Sequence, residues 1–257
     1  MREVVTLLNP RHTMKSKKSK KARKGMKRVS FYARRNGPEG GWGKGAMRWA
    51  GAALTGVALA TALTVGLAYT DLSDGAQDGI LAGAGLDEAA LANTRSLPLD
   101  QAAAEAVLRA GLPRTSLLMN CSGKHSGMLA TCVRNGWAHD ASYLAVDHPL
   151  QLAITAAIDE LAAEPHAHIG VDGCGAPAHA MSLVGLARAF RAIANGTAGS
   201  AGDEVYAAMT AHPQMVGGVT RDVTVFMQHV PGLMAKDGAD GVFAAALPDG
   251  RAIALKI

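Results

Sequence analysis

Beyond Thr70 the apolar positions of this chain recur at helical spacing and are punctuated by helix start and stop signals. Asp100 is placed to cap a helix running through Ala104, Val107 and Leu108 to Gly111. After Asp147-His148, Pro149 suits a first turn, and Leu150, Ile154, Ile158 and Leu161 then share one face at spacings of four, four and three. Ser182 to Asn195-Gly196 predicts a third helix with Leu183, Leu186 and Phe190 inward, and Asp203 to Ala211 a fourth, halted by Pro213. Strand signals are fewer. His168-Ile169-Gly170-Val171 reads as a short buried strand that delivers Asp172 and Cys174 to its C-terminal end. Val242 to Leu247 and Ala252 to Ile257 flank Pro248-Asp249-Gly250-Arg251, which is hairpin chemistry. No internal repeat recurs at a fixed period. The pattern predicts a mixed α+β fold.

Upstream, the pattern breaks into two other textures. Residues 1–48 have little apolar patterning and carry Lys15, Lys17, Lys18, Lys20, Lys21, Arg23, Lys24, Lys27 and Arg28, which predicts a basic tail kept disordered by its own repulsion. Residues 49–83 form an apolar segment of open status. Within it, the 21 residues from Trp49 to Tyr69 hold no charge and would be long enough to span a bilayer as a helix. Ala, Gly and Thr dilute its Leu and Val, so a buried soluble helix competes evenly with a membrane span, and membrane association is not favoured. Residues 84–257 then read as one domain.

Charge follows the same division. The net charge of +5 hides a tail with fifteen of the 26 Lys and Arg but only Glu3 and Glu39 as acids. The remaining eleven basic residues face nineteen acids, so the globular part is acidic and carries no nucleic-acid footprint. A hydrophobic content of 49% is ample for an enzyme-sized core. Three cysteines without framework spacing fit a reducing, cytoplasmic compartment.

Two stretches concentrate chemistry. Asn120-Cys121-Ser122-Gly123-Lys124-His125-Ser126-Gly127-Met128 combines a thiol, two hydroxyls, an amine and an imidazole, and Gly170-Val171-Asp172-Gly173-Cys174-Gly175-Ala176-Pro177 exposes an acid and a second thiol. Cys121 and Cys174 both read as lying in glycine-hinged loops where a backbone can fold round an ion, while two inert buried thiols would give the same spacing. Lys124 could join them only as a neutral amine. Ser122 and Ser126 are candidate hydroxyls, and Asp172 can orient a substrate amino group or serve as a turn-forming residue. Lys236, in a glycine-containing loop, can serve as a base if desolvated or can be simply solvated. His125 and His179 read as ordinary polar residues.

These stretches, with Asp147-His148-Pro149-Leu150-Gln151, Ala211-His212-Pro213 through Val216-Gly217-Gly218, Lys236-Asp237-Gly238-Ala239-Asp240-Gly241-Val242 and Ala254-Leu255-Lys256-Ile257, resemble the asparaginase II family of rhizobial type in order and spacing over about residues 84–257. The resemblance implies a fold similar to serine β-lactamases and penicillin-binding proteins, hydrolysis of L-asparagine to aspartate and ammonia, and a homodimer. It implies zinc held by Cys121, Lys124 and Cys174, with Asp172 contacting substrate and Lys236 activating a serine. The chain departs from the family pattern in having no Ser-x-x-Lys pair and no Ser-His-Ser-Gly loop; Thr61 and Thr64 are the nearest substitutes. The domain is therefore expected to be incomplete at both ends, a fragment of low solubility with little or no asparaginase activity. The alternatives are an inactive relative that still binds zinc or asparagine, and a membrane-anchored protein with no enzymatic role.

Overall fold

The computed structural model describes residues 3–7 and 76–257. Helices and strands are mixed, as the apolar pattern predicts, and the centre is a four-stranded antiparallel sheet in the order β1-β6-β5-β4. Its strands are β1 (Glu3–Leu7), β4 (Met234–Asp237), β5 (Val242–Ala246) and β6 (Ala252–Lys256). The hairpin read from Pro248-Asp249-Gly250-Arg251 is present: Leu247 N–H donates to Arg251 O at 2.9 Å, and Gly250 takes φ +86°, a conformation that glycine enters without a Cβ clash.

Period-two alternation covers both faces of the sheet. Ala244, Ala246, Ala252 and Ala254 face one way, against α5 (Leu183–Ala194) through Leu183, Leu186, Phe190 and Ile193 and against α6 (Gly199–Ala211) through Tyr206 and Met209. Ala235, Ala245, Phe243 and Ile253 face the other way, against Val216 of α7 (Pro213–Gly217) and Val223 and Met227 of α8 (Asp222–His229). Alanine at so many inward positions lets helix and sheet approach closely, which is how a chain poor in aromatics fills its core.

A second core lies among the helices. Leu81 of α1 (Ala76–Gly83), Leu129 and Cys132 of α3 (Ser122–Asn135), and Leu150 of α4 (Pro149–Ala162) close around Leu91 and Tyr143. The remaining helix, α2 (Gln101–Arg109), is capped as predicted by Asp100, which accepts from Ala103 N–H. Its inward face is weaker than the pattern suggests: Ala104 and Val107 are half-buried and Leu108 is exposed. A two-stranded antiparallel hairpin, β2 (His168–Val171) with β3 (Pro177–Ala180), completes the described elements.

Several sequence expectations are corrected. The strand at 168–171 exists but is not buried; paired only with β3, it leaves Val171 81% exposed. The fourth helix begins at Gly199, four residues before Asp203. The 122–128 motif is the opening of α3 rather than a loop, and Lys236 lies on β4. Within the tail read as disordered, residues 3–7 pair along β6 from Glu3 opposite Lys256 to Leu7 opposite Ala252, upstream of the lysine run that begins at Lys15. The rest of the tail, the apolar segment at 49–69, and Thr61 and Thr64 lie outside the described residues. Among the described residues, no helix is long and apolar enough to cross a membrane.

Candidate functional site

The site is built where the start of α3 meets the tip of the β2–β3 hairpin. Cys121 stands at the N-cap position of α3 without a side-chain cap, half-buried, and its backbone N–H lies 3.1 Å from Met119 Sδ. The first turns of α3 are walled in: Ser122, Gly123, His125, Ser126 and Gly127 are buried, whereas Lys124 keeps 43% of its side chain exposed. Lys124 is thus the residue of the opening turn that reaches outward.

The hairpin tip is a tight turn fixed by its own backbone. Asp172 N–H donates to Ala176 O at 2.8 Å, Gly175 N–H donates to Asp172 O at 2.8 Å, and Asp172 Oδ1 accepts from Gly173 N–H at 2.8 Å. Gly175 takes φ +90°, which a side chain would strain. Thr94, from the segment before α2, holds the turn from outside: its Oγ1 donates to Gly173 O at 2.9 Å and its N–H to Cys174 O at 3.4 Å.

Four predicted residues meet here. Lys124 Nζ donates to Asp172 Oδ2 at 3.2 Å and to Cys174 Sγ at 3.3 Å, and the Cys174 thiol donates to Asp172 Oδ2 at 3.0 Å. The Cys121 and Cys174 sulfurs and an Asp172 oxygen all lie within 4.8 Å of one another, and both thiols are free. Zinc–sulfur bonds of about 2.3 Å would set two tetrahedral sulfurs about 3.8 Å apart, so only a small closure separates this cluster from a ligand set. Two soft sulfurs with a nitrogen beside them suit zinc better than a hard cation.

Electrostatics bind the cluster together. Burial pushes the Cys121 thiol up, the Lys124 cation opposes this, and Cys174 and Asp172 add to the rise. Burial alone would lower Lys124, but Cys121, Cys174 and Asp172 outweigh it and raise the amine's pKa. The Asp172 carboxyl is held low, first by the Cys174 thiol and then, against its burial, by Lys124 and the Gly173 amide. Lys124 is accordingly an ammonium here; binding an ion through it requires loss of that proton.

Behind the cluster sits a pair that sequence reasoning passed over. His125 is fully buried, its Nδ1 lies 2.6 Å from Tyr143 Oη, and Tyr143 Oη accepts from Ala92 N–H. Burial, with the Lys124 cation adding to it, lowers the His125 pKa to about 4, and burial pushes the Tyr143 phenol up to about 12. Both are neutral supports. No spacing rule links His125 to Tyr143 or Thr94 to the hairpin, since these contacts join separate segments.

Lys236 stands apart. Its Nζ donates to Asp237 O at 2.5 Å and to Asp237 Oδ1 at 2.7 Å, and Arg221 binds the same carboxylate. Among the described residues no hydroxyl is hydrogen-bonded to Lys236 Nζ. Ser122 and Ser126, the candidate hydroxyls of the first motif, are buried at 2% and 0% exposure, which withdraws them from attack on a substrate.

The family model for L-asparaginase II matches residues 70–257. The chain belongs to the L-asparaginase II family. A search of curated proteins finds no match to it. Membership gives the cluster its frame, because the match spans both motifs and the strand that bears Lys236, and it points to an asparaginase-type activity on a small-molecule substrate.

Proposed function

We propose that the protein is an L-asparaginase, hydrolysing the side-chain amide of L-asparagine to aspartate and ammonia with a zinc ion that positions the substrate. The observation that carries the reading is the meeting of Cys121, Lys124, Asp172 and Cys174 at one point in a chain of this family. Cys121 and Cys174 as thiolates, with Lys124 deprotonated, would hold the ion, and Asp172 would then be free to accept hydrogen bonds from the substrate's α-ammonium group. Bound there, zinc would supply a fixed positive charge that orients the substrate and polarises an oxygen. Thr94 and the turn hydrogen bonds hold Asp172 and Cys174 in place, which limits the reorganisation that binding would require.

Amide hydrolysis also needs an oxygen nucleophile and a base to take its proton. Lys236 is assigned the base, and to act its Nζ must leave Asp237. A second reading rests on the same residue: with Nζ tied to Asp237 and no hydroxyl partner among the described residues, the chain would bind zinc and asparagine without turning the amide over. Ammonia release from L-asparagine by the purified protein, run beside Lys236→Ala and a zinc determination, separates them. The first reading expects release that falls by about 10²–10⁴ in the variant. Bound zinc without release would establish the second, and neither zinc nor release would remove both.

A further inference from the structure

We infer that His166 and His179 form a second cation site, for an imidazole-preferring divalent ion such as Ni²⁺, Cu²⁺ or Zn²⁺, at the base of the hairpin whose tip carries Asp172 and Cys174. His166 lies between α4 and β2, and His179 lies on β3, opposite Ile169. Their rings meet edge to face with centroids 5.7 Å apart.

Fixed partners decide where each ring keeps its proton. Asp159 of α4 accepts from the His166 backbone N–H at 2.8 Å and lies 3.1 Å from His166 Nδ1 through both carboxylate oxygens. A carboxylate only accepts, so Nδ1 carries the hydrogen, and Nε2 is the nitrogen through which this ring would bind an ion. Thr155 Oγ1 lies 2.8 Å from Gln151 O and 2.7 Å from His179 Nε2. A hydroxyl has one proton and a carbonyl gives none, so both contacts are hydrogen bonds only if Thr155 donates to Gln151 O and His179 donates from Nε2. The lone pair of His179 is therefore on Nδ1. On each of the two half-buried imidazoles one nitrogen is thus tied to an oriented oxygen and the other is left to face an ion, the arrangement in which a carboxylate or hydroxyl holds a metal-binding histidine.

The separation suits one shared ion. A nitrogen about 2.1 Å from an ion puts its ring centroid about 3.2 Å away, so two rings at a tetrahedral angle stand about 5.3 Å apart, close to the spacing here. His168 is exposed and opposes Ala180, one position along from the Ile169–His179 pair, so strand alternation turns it to the other face. It serves as an internal control. An ion at this point would clip β3 to the segment that follows α4, and water would fill its remaining positions.

Histidine-nitrogen NMR on the full-length chain reads the imidazoles directly and is independent of any metal at the thiols. Adding Zn²⁺ should shift His166 Nε2 and His179 Nδ1 together at one saturable stoichiometry and leave His168 unshifted. In calorimetry, His166→Gln with His179→Gln should remove that binding phase, Asp159→Asn should weaken it about 10–100-fold, and His168→Gln should leave it unchanged. Shifts at His166 Nδ1 or His179 Nε2, no shift at either ring, or a phase that survives the double substitution would overturn the site. The NMR result stands even if a variant fails to fold.

Discussion

Cys174 is fully buried, yet its thiol touches both a carboxylate and an amine, and this concentration of partners makes it the residue on which metal affinity should depend most. Cys174→Ser and Cys121→Ser replace a soft donor by a hard one that does not ionise near neutral pH. Either should lower zinc affinity by more than the roughly 10–100-fold typical of losing a group that only orients a ligand, measured by competition with a chromogenic chelator. Thr94→Val, which removes only the hydroxyl that grips Gly173 O, should fall within that smaller range. His125 makes the residue-scale prediction for pH. Its folded pKa of about 4 lies below the ordinary imidazole value of about 6.5 because burial disfavours the charged form. The unfolded chain therefore binds the extra proton between these values, so stability is fully present above the unfolded pKa and declines on acidification. The loss is about 3 kcal/mol by pH 4, at 1.36 kcal/mol per unit. Urea unfolding at neutral pH and near pH 4 should show the parent losing about that much more stability than His125→Gln.

Elements set where these residues stand. Helix α5 is the link between the sheet and the helical core, packing on β5 and β6 with one face and against α4 with another. Its start is fixed by Ser182, whose hydroxyl oxygen accepts from Gly185 N–H at 2.9 Å while the hydroxyl donates to Glu164, two residues past the end of α4. Ser182→Ala should cost about 1 kcal/mol in denaturant unfolding, and Ser182→Asp, which restores the cap but faces Glu164, should recover less than a cap alone returns. The β2–β3 hairpin is the element that most affects chemistry. It has only two strands, too few for independent stability, so the Thr94 hydrogen bonds and the contact with α4 hold it in register.

Across the whole molecule, the first described residues close the sheet against the last strand. Because β1 covers one edge of β6, deleting residues 1–8 should turn β6 into an exposed edge. Amide exchange along Ala252–Lys256 is expected to accelerate in that variant, with increased self-association in light scattering; unchanged exchange would mean that β1 contributes nothing to the sheet. The acidic domain and the basic N-terminal residues belong to one chain, so association of the full-length protein with polyanions should weaken steeply with salt.

The sequence by itself determined the elements whose signals are local. Asp100 and Ser182 mark helix starts, Pro149 a first turn, and Pro248-Asp249-Gly250-Arg251 a hairpin, because caps and turns are decided by hydrogen bonds within a few residues. The motifs also named Cys121, Lys124, Asp172 and Cys174 as companions. Tertiary structure decided what local pattern leaves open. The glycines of the 122–128 stretch read as hinges, yet packing against Leu81, Tyr143 and Leu150 makes that stretch helical, with Lys124 outward and both serines inward. The strand at 168–171 read as buried from its composition, but burial depends on what covers a strand, and here only β3 pairs with it. Thr94, Tyr143 and the His166–His179 pair emerge only in three dimensions, since the residues they touch come from separate turns and strands brought together by the packing of two cores.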